Sequence, residues 1–333
     1  FPFRERVCDF LLGLFNSPIL IFFLKNRALL LVLVFSTLLT LTTRTFATSG
    51  NLMSLARQIA ANGIIGVGYT FLLASDSVDL SAGYLMCMTG IVSGLLSQTG
   101  LPFPVILLIC VVVAMACSSV NAVIENKFGL PPFLVTLAMQ QVFRGALMLL
   151  SNGSPISNLN PGIIFMGQGF LGPIPFSVLL MLVFILIGHV IFSRTQFGRN
   201  VIAIGGNPDA ARVSGIDVKR TRIYVAALLG FTIAIMALVS CGRVASAQTT
   251  LGGDTVMDII AAVVIGGTPM GGGSGTVVGT LFGCLVIGLI SNGLNLLHVS
   301  SYWQMVSKGV IILVAVILDV YSERIYDRMR NKE

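Results

Sequence analysis

Arg144, Asp258 and Lys308 are isolated charges inside long apolar runs, where an ion is costly unless it is paired or reached by water. Their depths within those runs are compatible with one polar cluster, so Asp258 is expected to pair with Arg144 or with Lys308. Such a pair serves either static packing between helices or a translocation path. Asp76 and Asp79 lie at a break between two runs, in the stretch SDSVDLS from Ser75 to Ser81. Asp79 with Ser81 is expected to cap the next helix, because a side-chain oxygen satisfies the free amides of a first turn. A ligand role is the alternative. Gln140, Gln141, Asn292 and Asn295 are polar positions that either line a path or hydrogen-bond a neighbouring helix.

Richer patterns do not make a catalytic site. The stretch Gly266–Gly275 (GGTPMGGGSG) invites a nucleotide-loop reading, but the Walker pattern needs a lysine directly before Ser or Thr. Here Gly267 and Gly272 are followed by Gly273 and Ser274, so the phosphate-binding lysine is missing. Gly266, Gly267, Gly271, Gly272, Gly273 and Gly275 read instead as a tight turn or broken helix packed against a neighbour. His189 and His298 are far apart, and no serine, cysteine and histidine constellation accompanies them. Cys8, Cys87, Cys110, Cys117, Cys241 and Cys284 have no metal spacing and read as small core residues. No catalytic residue, cofactor or metal is expected on this chain.

The elements that must position these residues are membrane helices. Hydrophobic residues make up 55% of the sequence and charged residues 10%, and the mean hydropathy is +0.95. The apolar runs are as long as a bilayer is thick and recur along the whole chain, which excludes a soluble fold. The net charge of +7 sits mainly at the N-terminus, in one central loop and at Lys127, so it does not describe a nucleic-acid surface. The expected fold is all-α: a polytopic transmembrane bundle, one domain over residues 1–333, with about ten spans. They fall near 28–46, 54–75, 83–98, 104–124, 132–150, 174–193, 222–243, 255–268, 276–297 and 301–319. Both termini are then cytoplasmic. Residues 1–27 form an inner segment with an interfacial helix at 6–24, an eleventh span being the alternative, and 320–333 form a solvated tail. The loops near 99–103, 151–173 and 298–300 carry no Lys or Arg and are placed outside.

The segment 194–222 is a basic island between two apolar runs. Arg194, Arg199, Arg212, Lys219, Arg220 and Arg222 stand there against two acids, Asp209 and Asp217, a bias that keeps the loop cytoplasmic. Within it, Asn207, Pro208 and Asp209 read as N-cap, first-turn proline and first-turn acid of a short helix. It continues through Ala210, Ala211, Arg212, Val213 and Ser214, and Gly215 ends it. A short capped helix at the membrane surface suits docking onto another protein. A weak internal likeness at an offset of 192 residues pairs FLLASDSVDLSAGYLMCMTG with AVVIGGTPMGGGSGTVVGTLFG, and would relate spans 1–4 to spans 7–10 as a parallel repeat.

Several segments together resemble the permease subunits of ribose-type simple-sugar ABC importers. VDLSAG (Val78–Gly83) looks like that family's I-D-L-S-V-G motif, and NGSP (Asn152–Pro155) like its outer-loop motif. FGRNVIAIGGNPDAARVSGIDV (Phe197–Val218) looks like its coupling segment. Asp258–Thr280 and Asn292–Asp319 look like its C-terminal signature. The likeness runs in order from about residue 50 to 320. It implies a permease in the bacterial inner membrane, without an ATPase site of its own, that forms the pathway with a second copy or a paralogue. It also implies a separate ABC ATPase subunit that binds ATP and Mg, and a periplasmic or extracytoplasmic sugar-binding protein. The coupling helix would be Asn207–Gly215. One departure is local: the family has a Gly-rich turn before its I-D-L-S, where this chain has Ser75, Asp76 and Ser77.

Overall fold

The computed structural model describes residues 27–314, apart from 251, 254 and 312. In chain order its helices are α1 (Arg27–Thr42), α2 (Ser49–Ala74), α3 (Ala82–Gln98), α4 (Phe103–Phe128), α5 (Pro132–Ser151) and α6 (Pro161–Gln168). A two-stranded hairpin follows, β1 (Phe170–Leu171) against β2 (Ile174–Pro175), antiparallel with Phe170 opposite Pro175. Then come α7 (Phe176–Arg194), α8 (Gln196–Gly206), α9 (Pro208–Val213), α10 (Val218–Val244), α11 (Thr255–Ile265) and α12 (Val277–Leu296). Residues 301–311 are helical again and are called α13. The interfacial helix expected at 6–24, the tail from 320 and both chain ends lie outside the described residues.

Apolar runs become helices because hydrocarbon offers the backbone no other partners. Their ends are set by proline and by left-handed residues. Prolines 102 and 104 open α4, and Gly129, at φ 65°, closes it by donating its N–H to the Glu125 carbonyl at 2.9 Å. Asn152, at φ 49°, closes α5 in the same way.

Among the described residues, α4, α5, α7, α10 and α12 are long and apolar enough to cross a membrane. They divide into two kinds. In α10, 72% of the apolar stretch is buried by protein and in α12, 67%, against 22% in α4 and α5 and 28% in α7. The core therefore sits on α2, α10 and α12, with α4, α5 and α7 as the apolar rim. Helix α10 packs on α2 and α4, and α12 packs on α2 and α11.

The segment expected as a span over 255–268 is built differently. Helix α11 has 11 residues and rises about 16 Å, roughly half the hydrocarbon thickness. Before it, the non-helical residues 245–250, 252 and 253 run antiparallel to α3. Ala247 lies against Gly94 near the end of α3, and Gly252 packs on Gly83 near its start, so closely that a Cβ on either would strike the other's carbonyl. Glycines at both positions allow this broken span. The offset of 192 residues would align α11 with α2, which has 26 residues, so the two halves differ most where they were expected to match.

Helix α6 and the hairpin were not legible as elements. The signal for α6 was present, since Asn160 caps it by accepting from the Gly162 N–H at 2.9 Å with Pro161 in the first turn, the same pair of residue types that opens α9.

Candidate functional site

The basic loop folds into two helices. Thr195 caps α8, an element that sequence reasoning missed although Val201 and Ile204 mark its buried face. Helix α9 begins as expected: Asn207 Oδ1 accepts from the N–H groups of Asp209 (3.0 Å) and Ala210 (2.9 Å), and Pro208 occupies the first turn. Asp209 pairs with Arg212 at 3.1 Å in solvent, and Gly215, at φ 86°, turns the chain towards α10. Asp217 then caps α10 by accepting from Arg220 N–H at 3.0 Å. Ala211 is buried with Ile204 and Val218, which fastens α9 to its neighbours. Val213 is 90% exposed, so the helix presents an apolar tip.

Beneath this loop, three breaks in the chain meet backbone to backbone. Gly205 of α8 lies so close to the end of α2 that an added Cβ would stand 1.9 Å from the Ala74 oxygen and 2.5 Å from the Gly273 nitrogen. Gly273 N–H donates to that same Ala74 carbonyl at 3.0 Å. A Cβ on Gly272 would stand 2.8 Å from the Asp76 nitrogen. The glycine stretch is thus a turn strapped to the first break and to the loop. Gly267, Gly272 and Gly273 take the left-handed conformation there (φ 93°, 73° and 77°), Gly266 packs on the Gly279 backbone, and Gly275 lies against Thr268 and Phe192. A Cβ added at Gly271 would meet nothing, so no close packing requires glycine there. Aromatic rings brace the joint: Phe71 of α2 meets Phe192 of α7 edge-on at 5.0 Å and stacks on Phe197 of α8 at 5.7 Å.

The first break is a polar node. Asp79 is buried, and its Oδ1 accepts from the backbone N–H (2.7 Å) and hydroxyl (2.6 Å) of Ser81. Ser81 is the residue before α3 and makes no side-chain capping bond of its own, so the carboxylate and hydroxyl here brace the break rather than cap the helix as expected. Asn121 of α4 donates to Asp79 Oδ2 at 3.3 Å and to Ser81 Oγ at 2.9 Å. Glu125 of α4 and Arg222 in the second turn of α10 line a cavity of about 10 Å³ beside this network, with Ser118 and Asn121. Arg222 therefore joins the loop's exit to the first break. Asp76 takes a left-handed conformation, φ 56°. Burial raises its carboxyl above the ordinary range, and the Arg222 charge pulls it back.

The other polar positions separate. Lys308 and Asp258 form a short, half-buried ion pair at 2.6 Å. The pairing of Arg144 with Asp258 is not formed: α5 packs against α3 and α4, and Arg144 lies over the Tyr84 ring of α3 at 5.6 Å. Asn292 and Asn51 exchange two amide hydrogen bonds (2.8 and 3.1 Å), so Asn292 joins α12 to α2. Asn295 accepts from Gln304 at 2.9 Å. Gln140 is half-buried and Gln141 exposed on α5. Among the described residues, Gln140 and Asn292 share no hydrogen bond with each other or with Asp258.

The chain belongs to the family described as branched-chain amino acid transport system / permease component, which matches residues 51–316. It is 39% identical to the ribose import permease protein of Bacillus subtilis, over 81% of this chain and 84% of that one. It is 36% identical to the ribose import permease protein of Escherichia coli, over 89% and 94%. The xylose transport system permease protein of Escherichia coli is 29% identical over 84% and 87%. No solved structure matches the chain.

Proposed function

We propose that this chain is the membrane-spanning subunit of an ABC importer for a monosaccharide in the bacterial inner membrane. The observation that carries the reading is its likeness to two ribose permeases, at 39% and 36% identity over most of its length. A separate ATPase supplies energy, because the chain's glycine stretch lacks a phosphate-binding lysine. A binding protein delivers the sugar from outside. Two copies, or this chain and a paralogue, enclose the pathway as a single membrane domain each, with lipid on the rim helices. ATP and Mg belong to the partner.

Helix α9 is the docking element in this reading. Closure of the ATPase pair pushes α9. Helix α8 carries the push through Gly205 into Ala74 and Gly273, and Arg222 carries it into the Asp79 node. Packed helices then move as rigid bodies, opening the pathway alternately to each side. The pore needs little chemistry of its own if the binding protein selects the solute.

The test is ATPase stimulation in the complex reconstituted with its ATPase and binding protein. Val213→Asp puts a charge on the exposed tip, and Gly215→Val forces a β-branched residue into a left-handed conformation. Both variants are expected to insert normally and to lose sugar-stimulated ATP hydrolysis. Full stimulation in both would remove α9 from the coupling path.

A further inference from the structure

At the end of the bundle opposite the basic loop, two arginines converge on one open pocket. Helix α10 leaves the loop at Val218 and reaches Arg243 at its far end, while α2 starts at Ser49 and runs down to the joint at Ala74, which places Arg57 at the same far end. Arg57, Arg243, Phe170, Met53, Ser54 and Val244 line a cavity of about 650 Å³. That volume lies within the range of small-molecule sites.

Neither guanidinium is committed to an acid among the described residues. Arg57 donates from Nη2 to the Gln168 carbonyl at 3.1 Å and lies over the Phe170 ring at 4.6 Å. The Nε atoms of both arginines have no partner, and the Arg243 side chain makes no hydrogen bond at all among the described residues. Gln168 links the pair: its backbone carbonyl accepts from Arg57, and its side-chain amide donates to the Arg243 backbone carbonyl at 3.1 Å. The pocket thus offers two donor forks, one of them held by Gln168 and Phe170, with the Ser54 hydroxyl beside them and apolar walls from Phe170, Met53 and Val244.

We propose that this pocket is a subsite at the outer mouth for the hydroxyl groups of a monosaccharide. A sugar supplies what these walls lack: several hydroxyl acceptors on one edge for the Arg57 and Arg243 N–H groups, and a carbon-bound face for the apolar side. The positions are informative because arginine is disfavoured on the outer side of a membrane protein, yet two of them are brought to one place. The proposal rests on the sugar-importer reading.

The experiment is saturation-transfer NMR of D-ribose on the purified full-length permease without its partners, alongside D-ribose uptake by the reconstituted complex. Transfer to ribose protons is expected in the wild type. It should fall about tenfold in Arg57→Gln/Arg243→Gln, the effect of losing one or two net hydrogen bonds, with the thermal midpoint unchanged. Arg57→Lys/Arg243→Lys, which keeps the charge without the fork, should recover only part of it. Equal transfer in the wild type and the Gln variant overturns the proposal, as does no transfer in a wild type whose complex still takes up ribose. Arginine-dependent binding of sulfate in place of ribose overturns it in favour of an anion site. Loss of binding-protein affinity with ribose transfer intact overturns it in favour of a docking surface. If the wild-type complex takes up neither ribose nor xylose nor any other monosaccharide offered, the sugar-importer reading itself fails.

Discussion

Gly205→Ala is the sharpest probe of the joint. The added Cβ would meet the Ala74 oxygen at 1.9 Å, and bringing that contact to 3.0 Å requires the segments to part by the difference, about 1.1 Å. Both obstacles are backbone, so no side chain can swing aside. The displacement also opposes the hydrogen bond from Gly273 N–H to the Ala74 carbonyl, now 3.0 Å. Overpacking of about 1–3 kcal/mol and a lost hydrogen bond of about 1 kcal/mol give a cost of about 2–4 kcal/mol. Gly206→Ala is the control, because its nearest neighbour is the Gly273 Cα at an ordinary 3.9 Å. Alanine also favours helix by at most about 1 kcal/mol, so Gly206→Ala should be neutral or stabilising. The assay is the thermal midpoint of the purified permease, read by size exclusion after heating, with ATPase stimulation measured in parallel. Gly205→Ala should lose stability and coupling together while Gly206→Ala keeps both. Equal behaviour of the two variants would refute the backbone contact.

Two further outcomes follow from single contacts. Neutralising one partner of the pair between Lys308 and Asp258 leaves a half-buried charge, so Lys308→Met or Asp258→Asn should cost about 3–5 kcal/mol, and a double-mutant cycle should show strong coupling; Arg144→Gln combined with Asp258→Asn should be additive. Asp76 at φ 56° tolerates Gly and Asn, whereas Asp76→Val should destabilise by about 1–2 kcal/mol in the same heating assay.

What could be read in the sequence was local. Asn207, Pro208 and Asp209 announce α9 because a cap and its helix are neighbours in the chain, whereas Asp79 binds Ser81 ahead of α3 without a side-chain cap on that helix. The apolar runs locate the helices because burying backbone in lipid leaves one solution. Periodicity was uninformative where both faces are apolar, so the core helix α10 and the rim helix α7 look alike in sequence. The partner of Asp258 stayed open between Arg144 and Lys308, since either choice satisfies the charge and only the packing of α5 on α3 decides. The exchange between Asn51 and Asn292 spans 241 residues, and no local rule reaches that far. Arg57 drew no attention beside the charges deeper in the runs, because its significance depends on Gln168, 111 residues away.

The joint of Gly205, Ala74 and Gly273 has a consequence for redesign. A contact between main chains has no rotamers to repack, so it cannot be adjusted in small steps by exchanging one side chain for a slightly larger one. Under the proposed docking role of α9, variation in how fast the transporter works, or in which ATPase it accepts, has to be written on the exposed side of that helix, around Arg212 and Val213. An engineer retargeting this permease to a foreign ATPase would recode that surface and leave every glycine beneath it in place.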